Sequence, residues 1–134
     1  MDAISDTHGR YRIEILCAAL LAVLCGTTLR LTGYEIGLPY LLVKYGGSTI
    51  WGMMVYFVVA AALAARRRTT VLVASAIAIA AELFRLYHTP LLDEFRLTLA
   101  GALLLGRIFS AWNIVAYLAG IAIATALDRR SCCR

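Results

Sequence analysis

The chain has 134 residues, of which 62% are hydrophobic and 16% are charged, and its formal net charge is +5. A soluble domain contains about 45–50% apolar and about 25% charged residues, because its surface faces water. The composition therefore excludes an ordinary soluble domain and indicates a single integral membrane domain over residues 1–134. The basic residues lie at the ends of apolar runs rather than in one patch with aromatic residues, so we expect no nucleic-acid partner.

Four apolar runs are long enough to cross a hydrocarbon core of about 30 Å, which takes about 17–25 helical residues. The sequence predicts spans over about 13–29, 49–65, 70–87 and 109–127, and therefore an all-α four-helix membrane bundle. No small-x-small cleavage motif follows the first run, so we expect it to be retained as a helix.

Arginines precede the first span, form a triplet between the second and third spans, and follow the fourth. They are Arg10, Arg12, Arg66, Arg67, Arg68, Arg129, Arg130 and Arg134. Because cytoplasmic connections carry the excess of basic residues, the sequence predicts a plasma (inner) membrane protein with both termini in the cytoplasm. The connections over residues 30–48 and 88–108 then face outward.

The apolar residues between Arg96 and Arg107 cover only about 15 Å as a helix, which is too short to span. They predict an interfacial or re-entrant helix over about 96–107, with an arginine near the headgroups at each end. Trp51 and Trp112 start the second and fourth spans, where an aromatic belt marks the outer membrane surface.

Glu82 lies about two-thirds of the way along the third run, where an ionisable side chain costs about 2.5–3.5 kcal/mol. Arg85 is three residues further on and shares its helix face, which predicts a local ion pair. One interpretation is a structural pair that fixes helix register. The other is a membrane-embedded enzyme acting on a lipid-linked substrate, with Glu82 or Asp93 as general base and His88 as acid.

If these segments converge, a polar cluster forms near the extracytoplasmic surface. Its candidate ligand-binding residues are Arg85, Arg96, Arg107, Asn113 and Tyr117. Guanidinium groups match phosphate and carboxylate, so the leading interpretation is an envelope protein that binds an anionic lipid headgroup or a lipid-linked envelope precursor. Membrane lipids are then its expected partners.

Small residues recur at every fourth position of the fourth span, at Ala116, Gly120 and Ala124, a pattern that lets membrane helices approach closely. Asn113 lies on the same stripe, and its amide needs partners in lipid, for which the charged end of the third span is the obvious source. The stripe also supports another interpretation, a structural or assembly subunit that packs against a second copy or another membrane protein.

The sequence indicates no cofactor and no metal site. It lacks a phosphate-binding glycine loop, a histidine-rich metal spacing and a Gly-x-Ser-x-Gly elbow. Cys17 and Cys25 lie inside an apolar helix, and Cys132 and Cys133 are adjacent in a basic tail, so we expect free thiols.

Residues 82–120 contain Glu-x-x-Arg-Leu-Tyr-His-x-Pro-x-Leu-Asp-x-x-Arg, then Gly-x-x-x-Leu-Gly-Arg-x-Phe, then Trp-Asn-x-x-x-Tyr-x-x-Gly. This block resembles a family of uncharacterised small bacterial membrane proteins that are VanZ-like in pattern. The residues at comparable positions are Glu82, Pro90, Asp93, Asn113 and Gly120, whereas Trp112 stands where an aspartate often precedes the asparagine. The resemblance implies a cell-envelope membrane protein, the VanZ name being linked to glycopeptide resistance, and it implies no particular reaction.

Overall fold

The computed structural model describes residues 2–63, 66–106 and 108–128, with side chains from residue 9 onward apart from those of 103 and 104. Within these ranges the chain is helical and contains no strand, which confirms the all-α class. The described helices are α1 (Asp2–Thr32), α2 (Tyr40–Leu63), α3 (Arg67–Phe84), α4 (Pro90–Leu97), α5 (Leu99–Leu104) and α6 (Ala111–Leu127).

Two helices are long and apolar enough to cross a membrane, judged by length and composition. They are α1, over Gly9–Thr32, and α2, over Tyr40–Leu63. The apolar helix α6 is shorter, and α3 carries arginines in its first turn and Glu82 near its end. A bundle of four membrane-spanning helices therefore stays a prediction.

The helix α2 begins at Tyr40, well before the predicted start near residue 49. The additional turns contain Gly46 and Gly47, which face Leu29 and Arg30 of α1 and leave room for these side chains. Close packing on α1 thus outweighs the low helix propensity of two glycines. Trp51 consequently lies in the middle of α2 and not at its start, so its interpretation as a surface belt residue is wrong, whereas the Trp112 side chain is 69% exposed.

The central helix of the molecule is α2, which packs against α1, α3 and α6. It runs antiparallel to α1. It runs parallel to α6, since Ser48 contacts Asn113 and, further along both helices, Tyr56 contacts Asp128. The core lies along these contacts and is formed by aliphatic and aromatic side chains of all four long helices: Ile15, Ala19, Val55, Tyr56, Phe57, Val59, Ala60, Ala74, Ala78, Tyr117, Ile121 and Ala124.

The predicted small-residue stripe of α6 is buried against α2 of the same chain. A Cβ atom at Gly120 would overlap the carbonyl oxygen of Thr49, and one at Gly52 would overlap that of Tyr117. Both Ala116 and Ala124 are also buried. The stripe therefore serves packing within the chain, as its main interpretation held, and is not available to a second copy.

The connection between α3 and α6 contains two short helices where the sequence predicts one over 96–107. The helix α3 ends at Phe84, before the predicted end near residue 87, and Pro90 is the first residue of α4. Proline suits this position, where its missing N–H is not needed. Thr98 ends α4 and begins α5, and its hydroxyl donates to the Phe95 carbonyl (2.7 Å) and accepts from the Gly101 N–H (3.1 Å).

Candidate functional site

The candidate site is built around Glu82, whose side chain is completely buried near the end of α3. Its Oε1 accepts hydrogen bonds from the Ser110 backbone N–H (2.8 Å) and from Asn113 Nδ2 (3.2 Å). Its Oε2 accepts one from the Tyr117 hydroxyl (2.9 Å) and pairs with Arg85 Nη1 at 2.8 Å. These donors offset the cost of placing a carboxylate away from water.

Arg85 follows α3 directly and is also buried. Its Nη2 donates to the Tyr117 hydroxyl (2.8 Å) and its Nε to the Leu105 carbonyl (2.7 Å). Gly106, at φ +68°, lies against the guanidinium, and a Cβ there would stand 2.6 Å from Arg85 Cζ. The ion pair predicted from the spacing of Glu82 and Arg85 is confirmed, and contacts to the protein use three of the five N–H groups of the arginine.

Asn113 and Tyr117 lie one turn apart on α6 and both face Glu82. The predicted link between Asn113 and the charged end of the third span is confirmed. Asn113 Oδ1 lies 3.3 Å from the Ser48 hydroxyl, which can donate to it. Sequence reasoning missed Ser48, although a serine inside an apolar helix, like Asn113, needs a partner for its polar group.

His88 and Asp93 belong to a separate, more exposed cluster. Asp93 Oδ1 lies 3.1 Å from His88 Nδ1 and 3.2 Å from Arg96 Nη1, and the His88 side chain is 62% exposed. His88 contacts Asp93, whereas the four described partners of the Glu82 carboxylate do not include His88, so the described structure does not assemble a Glu82–His88 acid–base pair.

Arg96 is buried and binds the carboxyl end of α3. Its Nη2 donates to the Phe84 carbonyl (2.9 Å) and its Nη1 to the Tyr87 carbonyl (3.0 Å). These bonds satisfy carbonyl groups that a helix end leaves without partners, so they give Arg96 a structural contact. Arg107, the remaining arginine of the predicted cluster, lies outside the described residues.

A cleft of about 790 Å³ opens beside Arg85 and Asn113. Basic, polar and aromatic side chains line one part of it, and aliphatic side chains line the rest. The lining residues are Arg30, Lys44, Arg85, Ser48, Thr98, Asn113, Tyr34, Tyr40, Leu31, Val43, Leu97, Leu99, Ala102, Gly106 and Ile108.

The charge of this basic cleft is positive, because its described lining contains three cationic side chains and no carboxylate. The buried carboxylate of Glu82 neutralises the charge of Arg85, whereas Arg30 and Lys44 pair with no carboxylate among the described residues. The Lys44 ammonium lies between the rings of Tyr40 (5.5 Å) and Tyr45 (5.2 Å). Sequence reasoning missed both residues as ligand-binding candidates, although both lie in the connection over residues 30–48 that it predicts to face outward.

The site places cationic side chains next to an open cleft. The Glu82 carboxylate accepts hydrogen bonds from three neighbours and pairs with Arg85, so its contacts are made inside the protein. Arg85 retains N–H groups beside the cleft, where a phosphate or carboxylate could accept them. Across the described part of the chain, no group of three His, Cys, Asp or Glu side chains is placed to hold a metal ion.

A second buried polar group lies at the opposite end of the molecule. The carboxylate of Asp128, just after α6, accepts hydrogen bonds from Tyr56 (2.7 Å) and Tyr11 (3.1 Å). Nearby, Arg67 of α3 donates to the Thr125 carbonyl. These bonds join α1, α2, α3 and α6 at the end away from the basic cleft. Neither tyrosine is among the candidate residues predicted from the sequence.

No curated protein and no solved structure matches the chain significantly. Nothing in these comparisons supports the VanZ-like resemblance, so that likeness stays a prediction. Residues 37–121, which run from the turn before α2 into α6 and include Lys44, Glu82 and Arg85, match a family described as "Protein of unknown function (DUF2809)". Because the match covers more than half of the chain, the protein belongs to this uncharacterised family.

Proposed function

We propose that the protein is a multi-pass membrane protein of the cell envelope whose basic cleft binds an anionic lipid headgroup or the headgroup of a lipid-linked envelope precursor. The observation that carries the proposal is the charge of the cleft. Its cations come from three separate elements, Arg30 from α1, Lys44 from α2 and Arg85 from the end of α3. A cleft of this charge attracts anionic ligands.

Support for a membrane location comes from the outer surface of the helices. Only 17% of the apolar window of α1 is buried inside the protein. Large apolar side chains of this helix, including Ile13, Leu16, Leu20 and Leu24, are more than half exposed. Such a surface is costly in water and is the normal surface of a helix in lipid.

The ends of the molecule support an orientation. Arg67, in the first turn of α3, binds the last turn of α6 near Asp128 and its partner Tyr11, whereas the basic cleft lies at the other end of α3 and α6. With the arginine triplet in the cytoplasm, as the distribution of basic residues predicts, the cleft faces the outer leaflet of the plasma membrane. Both termini then lie in the cytoplasm.

The chemistry of the cleft favours a phosphate or carboxylate. Two of the five N–H groups of Arg85 have no acceptor among the described residues, and Ser48 and Asn113 also line the cleft. Guanidinium N–H groups bind two oxygens of one anion in parallel, and the ammonium of Lys44 adds a point charge.

The test is binding of phosphatidylglycerol to the purified protein, measured by titration in detergent and native mass spectrometry. We expect Arg30→Gln and Lys44→Gln each to lower the affinity about tenfold or more, because a hydrogen bond to a charged group contributes ~1.5–3 kcal/mol. Phosphatidylcholine, whose headgroup has no net charge, should bind more weakly to the unchanged protein.

Arg12→Gln is the matched control. Arg12 is exposed on α1, so this substitution removes the same charge outside the cleft. It should leave the affinity unchanged. Equal binding of phosphatidylglycerol by the Arg12, Arg30 and Lys44 variants would overturn the proposal.

A further inference from the structure

A narrow groove runs between α1 and α2, next to the basic cleft. Its volume is about 130 Å³, and most of its lining is apolar, with Ala22, Val23, Trp51 and Met54 among the lining residues. Arg30 lines both the groove and the cleft. The two spaces therefore meet at this side chain.

Two glycines shape the groove. Gly26 of α1 faces Ile50, and a Cβ there would lie 3.2 Å from Ile50 Cγ2. Gly47 of α2 faces Arg30, and a Cβ there would lie 3.1 Å from Arg30 Nε. The missing side chain of Gly47 lets Arg30 lie against α2, where the polar cleft meets the apolar groove.

We propose that the groove holds a hydrocarbon chain of the same amphiphile whose anionic group lies in the basic cleft. The inference rests on the proposed function and adds that the ligand is a lipid rather than a free anion. An apolar surface contributes nothing to the binding of a free phosphate. An amphiphile, in contrast, needs an apolar surface for its hydrocarbon chain directly beside the site of its charged group. From Ala22 to Arg30 the groove extends about 12 Å along α1, away from the cleft and toward the middle of the helix.

The natural fluorescence of Trp51 tests the proposal, because this side chain lines the groove. Replacing Trp112, which is 69% exposed, by Phe leaves Trp51 as the single tryptophan. The probes are phosphatidylglycerol and phosphatidylcholine with the same brominated acyl chains, since bromine quenches tryptophan on contact. We expect the phosphatidylglycerol to quench Trp51 more strongly at equal mole fraction, and Arg30→Gln to remove the difference.

Two matched controls separate the groove from the general lipid surface. A Trp51→Phe protein, which reports only from Trp112, should be quenched equally by both lipids. Thr27 lines the groove and Thr28 is exposed next to it, so Thr27→Phe should remove the excess quenching of Trp51 and Thr28→Phe should retain it. Thr27→Phe should also lower the affinity for phosphatidylglycerol about tenfold, which corresponds to about two methylene groups at ~0.8 kcal/mol each.

The outcomes distinguish this inference from the proposed function. If phosphatidylglycerol binds in an Arg30-dependent manner but quenches Trp51 no more than phosphatidylcholine does, the chain lies elsewhere and only the groove assignment is wrong. If binding does not depend on Arg30 and Lys44 at all, the proposed function fails first.

Discussion

Glu82 joins α3 to α6 through Asn113, Tyr117 and the Ser110 backbone, and it also neutralises Arg85. Such a buried pair contributes little net stability compared with apolar residues of the same size, but removing one partner leaves an unpaired charge. The pair therefore holds the guanidinium of Arg85 at the wall of the basic cleft.

Replacing Glu82 by Gln should lower the free energy of unfolding by about 3–5 kcal/mol, because Arg85 is left charged and buried without a counter-ion. Thermal unfolding of the purified protein in detergent measures the loss. Glu94→Gln is the control, since Glu94 is exposed and loses the same charge. The double variant Glu82→Gln/Arg85→Gln should recover part of the loss. A single Glu82 variant as stable as the control would contradict this account.

The local part of this site could be predicted from the sequence. The spacing of Glu82 and Arg85 is a helix-face relation, and a buried amide such as Asn113 has few possible partners. Arg30 and Lys44 could not be assigned in this way. Their convergence on one cleft depends on how α1 rotates against α2, which is set by close contacts at Gly26 and Gly47.

At the scale of the helices, α2 and α6 approach each other closely. Gly52 and Gly120 face the partner backbone directly, so no side chain separates the two helices at this crossing. In membrane helices such contacts replace the hydrophobic effect as the source of association. The crossing also sets the distance between Ser48 and Asn113, and so the floor of the cleft.

Gly120→Ala should destabilise the protein by about 1–3 kcal/mol, because the new methyl group meets the Thr49 carbonyl and forces the helices apart. Thermal unfolding in detergent measures this effect, and phosphatidylglycerol binding should weaken with it. Ala119→Leu adds more volume at an exposed neighbouring position and should change neither property. If Ala119→Leu were the more harmful change, the outer face of α6 would be the packed one.

Helix positions were more predictable than helix ends. Apolar run length located all four long helices, because a run of this length has few other solutions in lipid. The early start of α2 was not predicted, since two consecutive glycines have low helix propensity and their helical conformation depends on contact with α1. The break at Thr98 was not predicted either, because a single threonine hydroxyl both donates to the end of α4 and accepts from the start of α5.

For the whole molecule, the distribution of charge along the long helices separates two ends. One end carries Asp128, its tyrosine partners and the arginine triplet, and the other carries the basic cleft. The family match begins at residue 37, after α1, yet α1 supplies Arg30 to the cleft and Tyr11 to the opposite end. The first helix, which lies outside the matched region, thus contributes a side chain to both polar groups.

A membrane location with the cleft outside predicts a pattern of cysteine reactivity in intact cells. In a protein whose native cysteines are replaced by serine, Glu35→Cys in the exposed turn before α2 should react with a membrane-impermeant maleimide. Thr69→Cys, exposed beside the arginine triplet, should react only after the inner membrane is permeabilised. The opposite pattern would place the basic cleft in the cytoplasm.

The native thiols test the medium around α1 separately. Cys17 and Cys25 are free and exposed on the protein surface, so in water both would react readily. With Cys132 and Cys133 replaced by serine, we expect neither to react in intact or permeabilised membranes and both to react after denaturation in detergent. A thiol surrounded by hydrocarbon does not meet a polar reagent. Rapid labelling of Cys17 and Cys25 in membranes would mean that water, not lipid, covers the outer face of α1.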